Sequence, residues 1–143
     1  MSSGASSAGG AITAGAYVLD TSVFIRSLRG DTAIASRIAS APQVYVFSTV
    51  LGELYYDGAY GSPTRPDAAV ADVETIERAV AILLSDSMTA RIYAQIKLDL
   101  KKRGLTIPDN DLWIAAIAIQ YDVTLAAHDA HFDWIGGLRV EQW

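Results

Sequence analysis

The stretch Ala16-Tyr17-Val18-Leu19-Asp20-Thr21-Ser22-Val23-Phe24-Ile25-Arg26-Ser27-Leu28 decides the fold class. Its first four residues are a short apolar run that stops at an acid, the pattern of a buried strand. From residue 21 the spacing turns helical, and Gly30 ends the run. The same alternation continues down the chain. Residues 31–40 read as a second helix stopped by Pro42, and residues 43–48, rich in Val, Tyr and Phe, as a second strand. A helix from about residue 49 to 60 follows at once, and Gly, Pro and Ser mark residues 61–66 as loop. Val70, Val73, Ile76 and Ala79 carry helical spacing over 67–78, and 79–84 reads as a strand. Residues 88–103 form a long amphipathic helix with Ile92, Ile96 and Leu100 on one side and Gly104 at its end. Residues 110–121 are the most apolar helix, expected to be buried on most sides. A strand over 123–126, a helical turn over 129–135 and a last strand over 138–140 complete the chain. Strands alternating with helices predict an α/β fold, a three-layer α/β/α sandwich around a mostly parallel central sheet.

Composition sets the frame for this reading. Of 143 residues, 51% are hydrophobic and 19% charged, which suits one globular domain with a proper core. Residues 1–15 are nearly all small and lack Lys and Arg, so they read as a flexible N-terminal arm or an expression remnant, not as a secretory signal. Residues 16–143 are the single domain. There is no cysteine, which excludes disulfides and thiolate zinc sites and favours a reducing compartment. No apolar run reaches the roughly 18 residues of a membrane span, so the expected location is the cytoplasm, with no membrane partner.

In open α/β sheets functional groups gather beyond the carboxyl ends of the strands. That rule singles out Asp20 after the first strand, Glu53 in the helix after the second, Asp111 at the start of the apolar helix, and Asp129 just past the fourth strand. Asp109 and Asp133 are close neighbours. Taken singly, Asp20, Asp109 and Asp129 each precede a helix and read as N-caps. Glu53 has no Ser or Thr three residues earlier and is not part of a capping box. Taken together, the acids are more informative. Two carboxylates about 5 Å apart repel by roughly 3 kcal/mol at an effective dielectric of about 20. A divalent cation removes that conflict, and an all-oxygen set suits Mg²⁺ or Mn²⁺ better than Zn²⁺. Such a site polarises a phosphoryl oxygen and lowers the pKa of a bound water, as phosphodiester hydrolysis requires.

Four segments then resemble, in order, the motifs of PIN domains. These are Leu19-Asp20-Thr21-Ser22-Val23-Phe24-Ile25, Glu53-Leu54-Tyr55-Tyr56-Asp57-Gly58-Ala59, Ile107-Pro108-Asp109-Asn110-Asp111-Leu112-Trp113-Ile114-Ala115-Ala116, and Leu125-Ala126-Ala127-His128-Asp129-Ala130-His131-Phe132 followed by Gly137-Leu138-Arg139-Val140. The resemblance spans residues 16–143. It implies an acidic pocket of Asp20, Glu53, Asp111 and Asp129 holding one or two Mg²⁺ or Mn²⁺ ions, and cleavage of single-stranded or looped RNA. The small size fits the VapBC-type toxin branch, which implies a VapB-type antitoxin and a homodimer. A housekeeping RNA-processing nuclease and a non-catalytic RNA- or protein-binding module are the alternatives. The second has no reason to concentrate repelling acids. One position departs from the pattern: Ala127 stands where these toxins often carry Thr or Ser, and Ser22 is a substitute source of a hydroxyl.

Other features carry weaker expectations. The formal charge of −5 runs against a nucleic-acid partner, although Lys97, Lys101, Lys102 and Arg103 form a local basic cluster. That cluster reads either as a solvated helix end or as a phosphate contact. Arg26 and Arg29 are further candidates for backbone contacts, and Tyr55 or Tyr56 for base stacking in competition with core packing. His128, Asp129, His131 and Asp133 lie near one another, but two His without a further soft ligand make a thin transition-metal site. His131 and Phe132 read better as packing against the last helix or positioning a loop. An aspartyl-nucleophile phosphatase would need an acid at position 22, where Ser22 stands.

Overall fold

The computed structural model describes residues 15–61 and 64–143; the remainder of the N-terminal arm, and Ser62 and Pro63 of the loop expected at 61–66, lie outside them. The chain runs β1 (Ala16–Leu19), α1 (Thr21–Leu28), α2 (Thr32–Ser40), β2 (Gln43–Phe47), α3 (Ser48–Tyr60), α4 (Pro66–Ala79), β3 (Ala81–Leu83), α5 (Ser87–Lys102), α6 (Asp109–Tyr121), β4 (Thr124–Ala127), a 3₁₀ turn (Ala130–Trp134) and β5 (Val140–Gln142). The strands form one five-stranded sheet in the order β3-β2-β1-β4-β5. Every pairing is parallel, so the sheet is wholly rather than mostly parallel.

Parallel neighbours need right-handed crossovers. The chain steps from β1 to β2 to β3 through α1–α4, then returns through α5 and α6 to β4 on the other side of β1. Accordingly α1 packs on α2 and α3, α3 packs on α4, and α5 pairs with α6. The handedness rule places these two groups on opposite faces of the sheet. Between them the core holds Val18, Leu19, Phe24, Phe47, Leu125 and Phe132, each at most 2% exposed. In α6, Ile114 through Ala118 are all buried, which accounts for its continuous apolar sequence. Gly58 of α3 faces α4, where an added Cβ would meet the Ala69 backbone at 3.4 Å, an ordinary packing distance. Among the described residues no helix is long and apolar enough to cross a membrane.

Several boundaries differ from those expected. Pro66 opens α4 rather than ending the loop, because the first helical position needs no N–H donor. The strand expected at 79–84 shrinks to Ala81–Leu83, α4 keeping Ala79. The last strand lies two residues later than expected: Val140, Glu141 and Gln142 pair with Leu125, Ala126 and Ala127. Leu138 and Arg139 instead lead into it, and the Arg139 carbonyl accepts the Leu125 N–H at 2.9 Å.

Helix α5 starts earlier than its apolar spacing indicates because Asp86 caps it. The Asp86 carboxylate accepts the N–H groups of Met88 and Thr89 at 3.0 and 3.2 Å, and the Asp86 N–H donates back to the Thr89 hydroxyl at 2.9 Å. That hydroxyl also donates to Gln120 of α6, and Thr89 is fully buried. Thr89→Val keeps the shape but strands these partners, and should cost about 1–3 kcal/mol in urea denaturation.

Candidate active site

The strand order reverses between β1 and β4, which makes their carboxyl ends the switch point where open α/β sheets hold ligands. The Asp20 N–H donates to the Ala126 carbonyl at 2.9 Å, so the end of β1 is fixed against β4. Asp20 caps α1, with Oδ1 accepting the Thr21 N–H at 2.9 Å. Its Oδ2 lies 3.5 Å from the Ser22 hydroxyl. Glu53, in α3, is held from both sides: Oε1 accepts the Thr21 hydroxyl at 2.7 Å and Oε2 the Asn110 amide at 3.3 Å. Thr21 and Asn110 therefore tie the first turns of α1 and α6 to α3.

Asp111 is the third residue of α6, and its Oδ2 lies 3.0 Å from Nε2 of His131. Asp129 caps the 3₁₀ turn, its Oδ1 accepting the His131 N–H at 3.1 Å. The same oxygen lies 3.1 Å from Nδ1 of His131. The His131 ring thus stands between Asp111 and Asp129, with its edge toward Phe132 at 4.7 Å between ring centres. The expectation that His131 and Phe132 pack or position a loop is met, but His131 also touches two of the acids, which the sequence reading did not foresee.

The charges of these groups feel one another. Burial, followed by the nearby Asp111 and, to a smaller degree, Glu53, pushes the Asp20 carboxyl up to about 6, against the Thr21 N–H that favours its ionised form. Asp111 is also raised, first by burial and then by Asp129 and Glu53, while His131 opposes the rise. No Lys or Arg ion pair among the described residues reaches any of the four acids; the imidazole of His131 lies against Asp111 and Asp129. Asp20, Glu53 and Asp111 are partly buried carboxylates paired with no Lys or Arg, and such oxygen donors suit a hard divalent cation. As they stand, however, no three His, Asp or Glu side chains among the described residues are grouped closely enough to hold an ion.

The other candidates divide clearly. Asp109 is not an N-cap: Pro108 holds that position, and Asp109 pairs with Lys97 at 3.0 Å and with the Tyr93 hydroxyl at 2.9 Å. Arg26 donates to the Trp143 carbonyl at 2.6 Å and to Asp31 at 3.2 Å, a structural use. Arg29 faces Asp57 at 3.7 Å. Arg103 grips Asp99 at 2.7 Å, which leaves Lys101 and Lys102 as the exposed members of the basic cluster without such an ion pair. Tyr55 donates to Glu77, and Tyr56 is 69% exposed with its ring beside Tyr60. His128 approaches the Trp143 carbonyl at 3.1 Å rather than joining His131. Ala127 is fully buried at the end of β4.

This all-parallel sheet carries its acids at the switch point, and residues 17–138 match the PIN domain model: the chain belongs to that family. It is 33% identical over 130 residues to Ribonuclease VapC2 of Haemophilus influenzae, an alignment covering 89% of this chain and 97% of that protein. The structure of VapBC-1 from nontypeable Haemophilus influenzae matches with a TM-score of 0.79 at 27% identity, covering 90% of this chain and 98% of the other. VapBC-5 of Mycobacterium tuberculosis, from the VapBC family of toxin-antitoxin systems, matches with a TM-score of 0.70 at 29% identity, covering 89% and 96%.

Proposed function

We propose that the chain is a Mg²⁺- or Mn²⁺-dependent endoribonuclease and the toxin of a VapBC-type toxin–antitoxin pair, acting on RNA and restrained by a VapB-type antitoxin. The observation that carries this reading is the burial of Asp20 beside Asp111 and Glu53 at the sheet's switch point, with no Lys or Arg to neutralise them. The similarity to a ribonuclease VapC over nearly its whole length, and to VapBC complexes, supports both the chemistry and the partner.

In this reading Asp20 and Asp111 hold the ion, with Glu53 and Asp129 completing or steadying the set. A divalent cation in that place supplies a Lewis acid for a phosphoryl oxygen and a more acidic water. The protein's own residues do the rest. Thr21 and Asn110 each donate to one oxygen of Glu53. They fix its carboxylate as the base that orients and deprotonates the attacking water. Attack on phosphorus with departure of the 3′ oxygen leaves a 5′-phosphate and a 3′-hydroxyl. The exposed Lys101 and Lys102 are candidates for remote contacts to the RNA backbone. The chain is expected to act as a homodimer, which sedimentation would report.

The purified chain should cut total RNA in Mn²⁺ and stop in excess EDTA, with readdition of Mn²⁺ restoring cleavage. Cleavage that persists in the chelator would remove the metal-dependent reading. Expression of the chain alone should arrest growth, and co-expression of its operon partner should relieve the arrest.

A further inference from the structure

Two carboxylates share one cation only if an oxygen of each comes within about 2.1 Å of it. Asp111 and Asp129 do not leave that space open to each other. The His131 imidazole fills it, with Nε2 at 3.0 Å from Asp111 Oδ2 and Nδ1 at 3.1 Å from Asp129 Oδ1. The ring and an ion bridging these two acids compete for one position.

The ring meets both acids at similar distances, but only Asp129 is also tied to the turn through the backbone. Asp129 Oδ1 receives both the His131 N–H and the approach of Nδ1, so this carboxylate is tied to the turn that carries the histidine. The side chain is only 15% exposed and lies against Phe132. At the far end Nε2 is buried 3.0 Å from Asp111 Oδ2. Releasing Asp111 therefore gives up the ring's contact alone, whereas Asp129 is also held by the His131 N–H. That is the end where the ring can let go.

We propose that the His131 side chain is a tethered occupant of the cation position, which separates Asp111 from Asp129 in the metal-free protein and must swing aside for Asp129 to join Asp111 around an ion. His131 is thus a positioning residue: it sets how readily the site loads and takes no part in bond cleavage. The inference rests on the reading that these acids bind a divalent ion.

Calorimetric titration of the RNA-free full chain with Mn²⁺ tests it. An ion that binds only the ring-out form has its apparent affinity reduced by the fraction of chains in that form, so His131→Ala should bind Mn²⁺ about 10-fold more tightly than the parent. His131→Asn, too short to span both acids, should shift binding the same way and serves if the alanine variant does not fold. Asp129→Asn should weaken binding more in the His131→Ala background than in the parent, the coupling expected of groups that share a site. Affinity that is unchanged or weaker in both histidine variants overturns the proposal while the metal-site reading stands. Failure of the parent and both variants to bind Mn²⁺ overturns both.

Discussion

Asp20→Asn is expected to stabilise the metal-free protein while abolishing RNA cleavage. Burial and the neighbouring acids raise the Asp20 carboxyl from 3.8 to about 6. The folded chain therefore holds this proton more tightly than the unfolded chain does. The stability it contributes is complete below the ordinary carboxylate range and is lost as the pH rises through about 6. At pH 7.5 the ionised group works against folding, by up to about 3 kcal/mol for a shift of this size. Asparagine removes the charge but keeps the oxygen that caps α1, since Asn and Asp are equivalent N-caps. Urea denaturation in EDTA should thus find the variant more stable by up to about 3 kcal/mol at pH 7.5, a gain that shrinks toward zero near pH 4. Cleavage in Mn²⁺ should fall by about 1,000-fold, equivalent to about 4 kcal/mol of barrier. A variant less stable than the parent at pH 7.5 would contradict the electrostatic account, and one with full activity would contradict the site.

Phe132→Ala should produce the largest loss of stability among changes near the site. Phe132 is fully buried in the 3₁₀ turn that carries His131 and follows Asp129. Truncation leaves a cavity beneath that turn and should cost about 3–5 kcal/mol, a large fraction of the roughly 5–15 kcal/mol that stabilises a domain. Because the His131 ring meets the Phe132 ring edge-on at 4.7 Å, the cavity also loosens the ring that stands between Asp111 and Asp129. Activity should fall together with stability. Phe132→Leu, which refills much of the space, should cost less and retain most of the activity. A loss below about 1 kcal/mol for the alanine variant, at an unchanged denaturant slope, would show that the turn is anchored elsewhere.

What the sequence made legible is what burial dictates. The run Ala16–Leu19 closed by Asp20 and the apolar helix through Ile114–Ala118 are core elements, and their hydrophobic patterns reflect it. The edge strands were harder. Ala81 and Ile82 are exposed, and Glu141 and Gln142 are polar, so β3 and β5 are held by backbone pairing that leaves little mark on side-chain type. The strand-end rule selected Asp20, Glu53, Asp111 and Asp129 as one set, and the charges of Asp20, Asp111 and their neighbours do couple. Asp20 and Asp129 do cap the elements that follow them, and a carboxylate can cap with one oxygen and present the other.

Asp109 and Asp111 are turned apart by the helix that carries them. Two residues apart on a helix of 3.6 residues per turn, they point to different sides: one meets Lys97 of α5, the other His131. The role of His131 was hidden for a related reason. It sits in a short 3₁₀ turn without periodicity, and only the fold brings it to Asp111, twenty residues back in the chain. Thr21 and Asn110 were within the quoted motifs, but no spacing rule connects either of them to Glu53.

The most direct test is diffraction from crystals of the chain soaked in Mn²⁺, recorded at the manganese absorption edge. An anomalous peak about 2.1 Å from oxygens of both Asp20 and Asp111 is the predicted result. No peak at these acids, or one bound only at the protein surface away from them, would contradict it.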